Sequence, residues 1–194
     1  MTPVDPLATA GLVAGLLEAL GIPYVIGGSV ASSVLGEPRS TLDLDLMIDA
    51  DEGRVRALVE TLRDEFYVDL DDALAAVRGW SSFNAIRYDS VMKVDFFIAE
   101  PLGCRQIQRR RGIRVRPDLP TLYFYAVEDL ILRKLLWFRL GGGVSDRQWR
   151  DVVSLLKVAG NDLDRQYLST AAAEEGVADL LIRASDHAGT GLFS

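Results

Sequence analysis

Residues 40–49 read Ser-Thr-Leu-Asp-Leu-Asp-Leu-Met-Ile-Asp, and no other segment limits the fold so tightly. Strand side chains alternate between two faces. In that register Leu42, Leu44, Leu46 and Ile48 point into a core, and Thr41, Asp43, Asp45 and Asp49 share the other face. Aspartate is depleted in strands, so two on one face of so apolar a strand need a compensating partner. Asp43 and Asp45 are about 7 Å apart along the strand, near enough to clamp metal ions from two sides. An Asp-x-Asp taken alone is explained as well by an edge strand with a solvated acidic face.

A third carboxylate strengthens the metal reading. In residues 91–98, Met92, Val94, Phe96 and Ile98 make an apolar face, and Lys93 and Asp95 share the opposite one. If this strand pairs beside residues 41–48, three carboxylates converge. Such a cluster repels itself and is held together by divalent cations. Mg²⁺ in particular prefers a few carboxylates plus substrate phosphates. Upstream, Gly27-Gly28-Ser29 joins a short apolar strand, Tyr24 to Ile26, to a small helix, Val30 to Leu35. Glycines let backbone approach a ligand closely, and amides opening a helix favour an anion. A tight turn with Ser29 as helix cap would account for the same residues.

The remaining composition narrows the chemistry. Among 194 residues there is one histidine, His187, and one cysteine, Cys104. Histidine-dependent triads, internal disulfides and multi-cysteine zinc sites are thereby disfavoured. Neither residue is assigned a functional role. The net charge of -7 disfavours binding nucleic acid over the whole surface. The apolar stretch from Leu7 to Leu17 is too short for a span of about 20 residues. The first basic residue is Arg39, so no basic leader is readable and a cytoplasmic protein is expected, with no membrane partner.

The spacing predicts a first helix capped by Asp5, with Pro6 at its first turn, Leu12, Val13, Leu16, Leu17 and Leu20 as its apolar stripe, and Gly21 at its end. A helix over 54–62 buries Val55, Leu58, Val59 and Leu62. A strand at 66–68 and a helical turn or two at 71–77 come next. Residues 83–98 read as a hairpin with Asp89-Ser90 at its turn. A second, basic pair of strands is expected around Gly112, then a strand at 122–125. Helices follow at 127–140, 146–158, 163–175 and 177–184. The fold class is α/β (α+β): a core over 1–125 and a C-terminal helical region over 126–194.

The order strand, Gly27-Gly28-Ser29, thirteen residues, Asp43-Leu44-Asp45, then a later Asp95 resembles the polymerase-β-like nucleotidyltransferases. The longer run Gly36-Glu37-Pro38-Arg39-Ser40-Thr41-Leu42-Asp43-Leu44-Asp45 is similar to a Gly-x-x-Arg-x-Thr-x-Asp-x-Asp pattern of AbiEii-type toxin nucleotidyltransferases and related bacterial proteins. That branch carries a lysine on the helix after the sheet and an aspartate on the next. Lys134, within Glu128 to Leu135, and Asp151, within Arg147 to Val152, resemble those two blocks. The resemblance covers roughly residues 20–156 and implies a mixed β-sheet flanked by helices.

It also implies that an acceptor hydroxyl attacks the α-phosphate of an NTP and that pyrophosphate leaves. Asp43, Asp45 and Asp95 would be catalytic and hold two Mg²⁺ ions, or Mn²⁺. Gly27, Gly28, Ser29, Arg39, Thr41 and Lys134 would bind the nucleotide, and Asp151 would orient Lys134 or the acceptor. The acceptor would be RNA, such as tRNA, for a toxin of a type IV toxin-antitoxin pair with a cognate antitoxin. The alternatives are a small aminocyclitol or sugar, for an antibiotic-modifying enzyme, and a non-catalytic nucleotide- or partner-binding member. Arg105, Arg109, Arg110, Arg111, Arg114 and Arg116 form a basic run that suits either RNA phosphates or a solvated ribbon.

Overall fold

The computed structural model describes residues 5–38, 40–90 and 92–193. By internal contacts the chain divides into two compact units, Met1–Val30 with Ser40–Tyr125, and Ala31–Arg39 with Ala126–Ser194. Among the described residues no helix is long and apolar enough to cross a membrane.

The first unit is built on a seven-stranded sheet. Its strands are β1 (Tyr24–Ile26), β2 (Asp43–Ile48), β3 (Phe66–Val68), β4 (Ser82–Arg87), β5 (Lys93–Ile98), β6 (Arg111–Ile113) and β7 (Leu122–Phe124). Their order across the sheet is β3-β4-β5-β2-β1-β7-β6. The sheet is mixed: β2 runs parallel to β5 and β1 to β7, and the other neighbours are antiparallel. Helices α1 (Pro6–Ala19), α3 (Glu52–Leu62) and α4 (Leu70–Gly79) pack on it. Leu44, Leu46, Ile48, Val94, Phe96 and Ile98 form its buried centre. Asp5 caps α1 by accepting from the Leu7 and Ala8 amides, as its position before Pro6 predicts. Helix α2 (Gly28–Leu35) follows β1 and starts two residues earlier than the spacing predicts.

Two expectations need correction. Leu42 is 67% exposed, so it is not a core residue. The strand begins only at Asp43, because the Thr41 hydroxyl and the Asp43 backbone bond each other locally at 3.2 and 3.3 Å. That closed ring starts the strand two residues later than the alternation predicts. The basic segment is also not a pair of strands. Pro101 starts a helix, α5 (Pro101–Gln108), and only Arg111–Ile113 is extended. That strand pairs with β7 instead, leaving Gly112 opposite Tyr123 in the middle of a ladder.

The second unit is helical, with α6 (Val127–Leu140), α7 (Asp146–Ala159), α8 (Arg165–Glu174) and α9 (Ala178–Ala188). Ile131, Leu135, Val152, Leu155, Leu156, Leu168 and Leu181 make its core. Trp149 packs on Phe138 and donates its indole N–H to His187 Nδ1 at 2.8 Å. The lone histidine thus accepts a hydrogen bond within the helical unit.

Candidate active site

The parallel pairing of β2 with β5 decides where the carboxylates go. Asp45 is the register partner of Asp95, and Asp43 is the partner of Lys93. Neighbouring strands lie about 4.8 Å apart, and like-facing residues are about 7 Å apart along each. Asp43, Asp45, Lys93 and Asp95 therefore stand on one face as the corners of a small rectangle. Their i+1 neighbours Leu44, Leu46, Val94 and Phe96 are fully buried on the other face. The three aspartates singled out by the sequence share this face. Asp49 lies beyond the end of β2 and is exposed.

The turn after β1 is fitted to this face. The Gly27 amide donates to the Asp45 carbonyl at 2.9 Å, which ties the turn to β2. A Cβ on Gly27 would lie 2.9 Å from the Tyr125 ring. Gly28 has φ +56, a left-handed conformation that glycine adopts without strain. A Cβ on Gly28 would also collide with the Asp45 carboxylate. Asp45 therefore rests against the opening of α2, where a helix terminus favours negative charge. Ser29 is the next residue of that helix. Thr41 closes the local ring described above. Arg39 lies outside the described residues.

Lys93 is the feature that sequence reasoning undervalued. Its ammonium is 2.8 Å from Asp95 Oδ2, with the two side chains 44% and 18% exposed. The hydrogen bond to Asp95 is the main reason the lysine holds its proton more firmly than usual. The charges of Asp95, Asp43 and Asp45 add to it, against a partial loss of solvent. The visible signal was the placement of a lysine two residues before an aspartate on one strand face.

Carboxylate oxygens are suitable donors for Mg²⁺ or Mn²⁺. Among the described residues, however, no three acidic, histidine or cysteine side chains are gathered closely enough to hold a metal ion as they stand. The donor set fits a divalent cation in its chemistry, and Lys93 is a cation already standing against one of its members. Beyond Asp95 the same sheet face continues to Asn84, its partner on β4. A cavity of about 340 Å³ there is lined by Tyr67, Asp69, Asp72, Ser82, Phe83 and Asn84 among others.

Lys134 and Asp151 belong to the second unit and form a buried ion pair at 2.7 Å, with both side chains under a tenth exposed. Gln148 also accepts from the lysine, at 3.4 Å. Neither residue is the exposed surface group that each alone would suggest. Three of the six arginines in the basic run make contacts within the first unit. Arg110 lies over the Tyr123 ring and donates to the Ile107 carbonyl, Arg114 donates to the Pro117 carbonyl, and Arg116 pairs with Asp5 and Asp118.

No protein-family model matches the chain, and no curated protein matches it. Solved structures do. An antigenic nucleotidyltransferase-like protein from Paracoccidioides brasiliensis superposes with a TM-score of 0.60 at 18% identity, covering 97% of this chain and 92% of that one. The antibiotic-resistance factor ANT(2'')-Ia, in solution, gives 0.57 at 16% identity, covering 94% of this chain and 99% of its own. ANT(2'')-Ia in complex with adenylyl-2''-tobramycin gives 0.55 at 17% identity, over 87% of this chain and 97% of its own. With the mixed sheet and its flanking helices, these likenesses identify the fold of the chain as that of nucleotidyltransferase-like proteins.

Proposed function

We propose that this protein transfers a nucleoside monophosphate from an NTP to the hydroxyl of a small acceptor. The observation that carries the reading is the in-register pairing of β2 with β5, which sets Asp43, Asp45 and Asp95 on one face beside the opening of α2. Asp43, Asp45 and Asp95 would hold Mg²⁺ or Mn²⁺, as one or two ions. Such ions neutralise phosphate charge and lower the pKa of a bound hydroxyl. The chain's own residues do the rest. Asp95, beside the open face that runs to Asn84, takes the proton of the acceptor hydroxyl. That oxygen bonds to the α-phosphorus, and the bond to the bridging oxygen of the β-phosphate breaks, its electron pair leaving with pyrophosphate. The amides of Gly28 and Ser29 lie at a helix opening that favours the departing phosphates.

A small acceptor is favoured over RNA by two observations. Arg110, Arg114 and Arg116, three of the six arginines in the run, are engaged in contacts within the chain. The cavity beside Asn84 is lined by Asp69 and Asp72, with no lysine or arginine among its residues. The antibiotic-resistance factor ANT(2'')-Ia, solved in complex with adenylyl-2''-tobramycin, fits a small acceptor as well. The AbiEii-like toxin reading rests on the Gly36 to Asp45 pattern and keeps RNA, and an antitoxin partner, as its alternative.

The test incubates the pure protein with each labelled NTP and Mg²⁺, with total RNA in one arm and aminoglycosides in the other. Label should pass to a small molecule, and Asp43→Asn should abolish transfer while keeping its circular dichroism spectrum. Label appearing in RNA would reverse the choice of acceptor. Undiminished transfer by Asp43→Asn would remove the carboxylate assignment.

A further inference from the structure

We infer that Lys93 is the built-in counter-cation of the carboxylate face, and that a divalent ion that takes Asp95 through Oδ2 does so by displacing the Lys93 ammonium. The inference rests on the reading that Asp43, Asp45 and Asp95 hold a divalent ion.

Three observations lead there. Lys93 stands in the rectangle itself, opposite Asp43 and two residues from Asp95, so its side chain rises from the same face as all three aspartates. Its ammonium lies 2.8 Å from Asp95 Oδ2, where it competes with a second cation for that oxygen. Nearly half of the lysine side chain is exposed, and its four-carbon stem can swing toward solvent without disturbing the core. The aspartates would otherwise stand as three like charges on two adjacent strands. One ammonium lowers their repulsion, and the face stays assembled before the ion arrives.

The opening of α2 mirrors this arrangement. There the Asp45 carboxylate rests against Gly28, where a helix start favours an anion. A carboxylate thus stands at the anion position and an ammonium at the cation position. Binding of a nucleotide with its cation is then an exchange of internal charges for external ones. Half-exposed pairs of this kind are weak, so the exchange is easily driven and Lys93 tunes affinity rather than blocking it.

The test measures Mn²⁺ binding by electron paramagnetic resonance of the free ion, in wild type and in Lys93→Met, Lys93→Arg and Asp95→Asn, without nucleotide. Melting in EDTA first shows that each variant is folded. Removing a pair of this exposure should tighten Mn²⁺ binding about two- to fivefold in Lys93→Met, and raised salt should narrow the gap. Lys93→Arg, which can grip Asp95 with two N–H groups, should bind Mn²⁺ more weakly than wild type. A side chain with only a structural role would not move affinity in opposite directions in these two variants. Equal or weaker binding by Lys93→Met overturns the inference and leaves the metal site standing. No Mn²⁺ binding by wild type, or equal binding by Asp95→Asn, overturns the metal reading and the inference with it.

Discussion

Gly28→Ala separates two costs that usually arrive together. Gly28 sits at φ +56, and a suitable control, Gly21, sits in the same left-handed region at φ +62. A left-handed conformation costs a non-glycine residue about 1–2 kcal/mol. A Cβ on Gly21 meets nothing within 4 Å, so Gly21→Ala should lose only that amount. At about 2–4 °C per kcal/mol for a chain of this length, its melting temperature should fall by about 2–8 °C. At Gly28 the added carbon must also push the Asp45 carboxylate off the opening of α2. Overpacking of this sort adds about 1–3 kcal/mol, so Gly28→Ala should melt lower than Gly21→Ala by a further 2–12 °C or so.

The same step should displace Asp45 from Asp43 and Asp95. Mn²⁺ affinity should therefore drop in Gly28→Ala and stay at the wild-type value in Gly21→Ala. Adding Asp45→Ala to Gly28→Ala removes the carboxylate but leaves its Cβ, so part of the extra loss should return. Differential scanning fluorimetry of the four proteins in EDTA, followed by Mn²⁺ titration, decides it. Equal melting losses and equal Mn²⁺ affinities in the two alanine variants would show that the Gly28–Asp45 contact does not shape the site.

Lys134→Met should cost about 3–5 kcal/mol, because it strands a buried Asp151, and Lys134→Met with Asp151→Leu should recover most of the loss in a urea melt. Asp5→Ala should cost about 1 kcal/mol at neutral pH through the lost cap of α1. Burial pulls the Asp5 pKa up, but the Arg116 guanidinium and the α1 amides hold it below the usual 3.8. Its contribution is therefore present above that value and lost as pH falls through the lower one, so the wild-type and Asp5→Ala melting curves should converge in acid. Arg109→Ala with Arg111→Ala should leave the salt dependence of RNA binding unchanged if the acceptor is small, and filter binding across a salt series checks it.

Much of the fold was legible because its strands and helices carry clean periods. The 66–68 strand, the 127–140 helix and the buried face of α3 appear in the structure as the spacing predicts. In α1 the buried face is set by Ala10, Val13, Ala14 and Leu17, so the expected stripe was right only in part. Small residues there allow close packing that a search for leucines overlooks. The helix at 101–108 was hidden because it is short, with Leu102 and Ile107 as its large apolar residues, and its one clear signal was Pro101 at the start. The carboxylates could be chosen from alternation alone. Their company could not, since the contacts of Lys93 with Asp95 and of Gly28 with Asp45 depend on which strands and turns become neighbours. Likewise Lys134 and Asp151 are far apart in sequence, and nothing local marks them as a buried pair.

The apolar core of the sheet is what holds the candidate site in register. A parallel pair has no hairpin turn to set its alignment, so the match of β2 to β5 must come from the side chains themselves. A slip of one residue on either strand would send its alternate set to the wrong face. For β2 that would carry Leu44, Leu46 and Ile48 out of the core and put Asp43 and Asp45 into it. Full burial of such a side chain is worth about 1.5–3 kcal/mol, so three of them forfeit several kcal/mol before any charge is buried. An unpaired carboxylate in an apolar interior adds still more. Native domains have only about 5–15 kcal/mol in hand, so the slipped arrangement is not populated. The residues that keep Asp45 and Asp95 on one face are therefore Leu44, Leu46, Val94 and Phe96, all on the opposite, buried face. Stability and chemistry divide between the two faces of the same two strands.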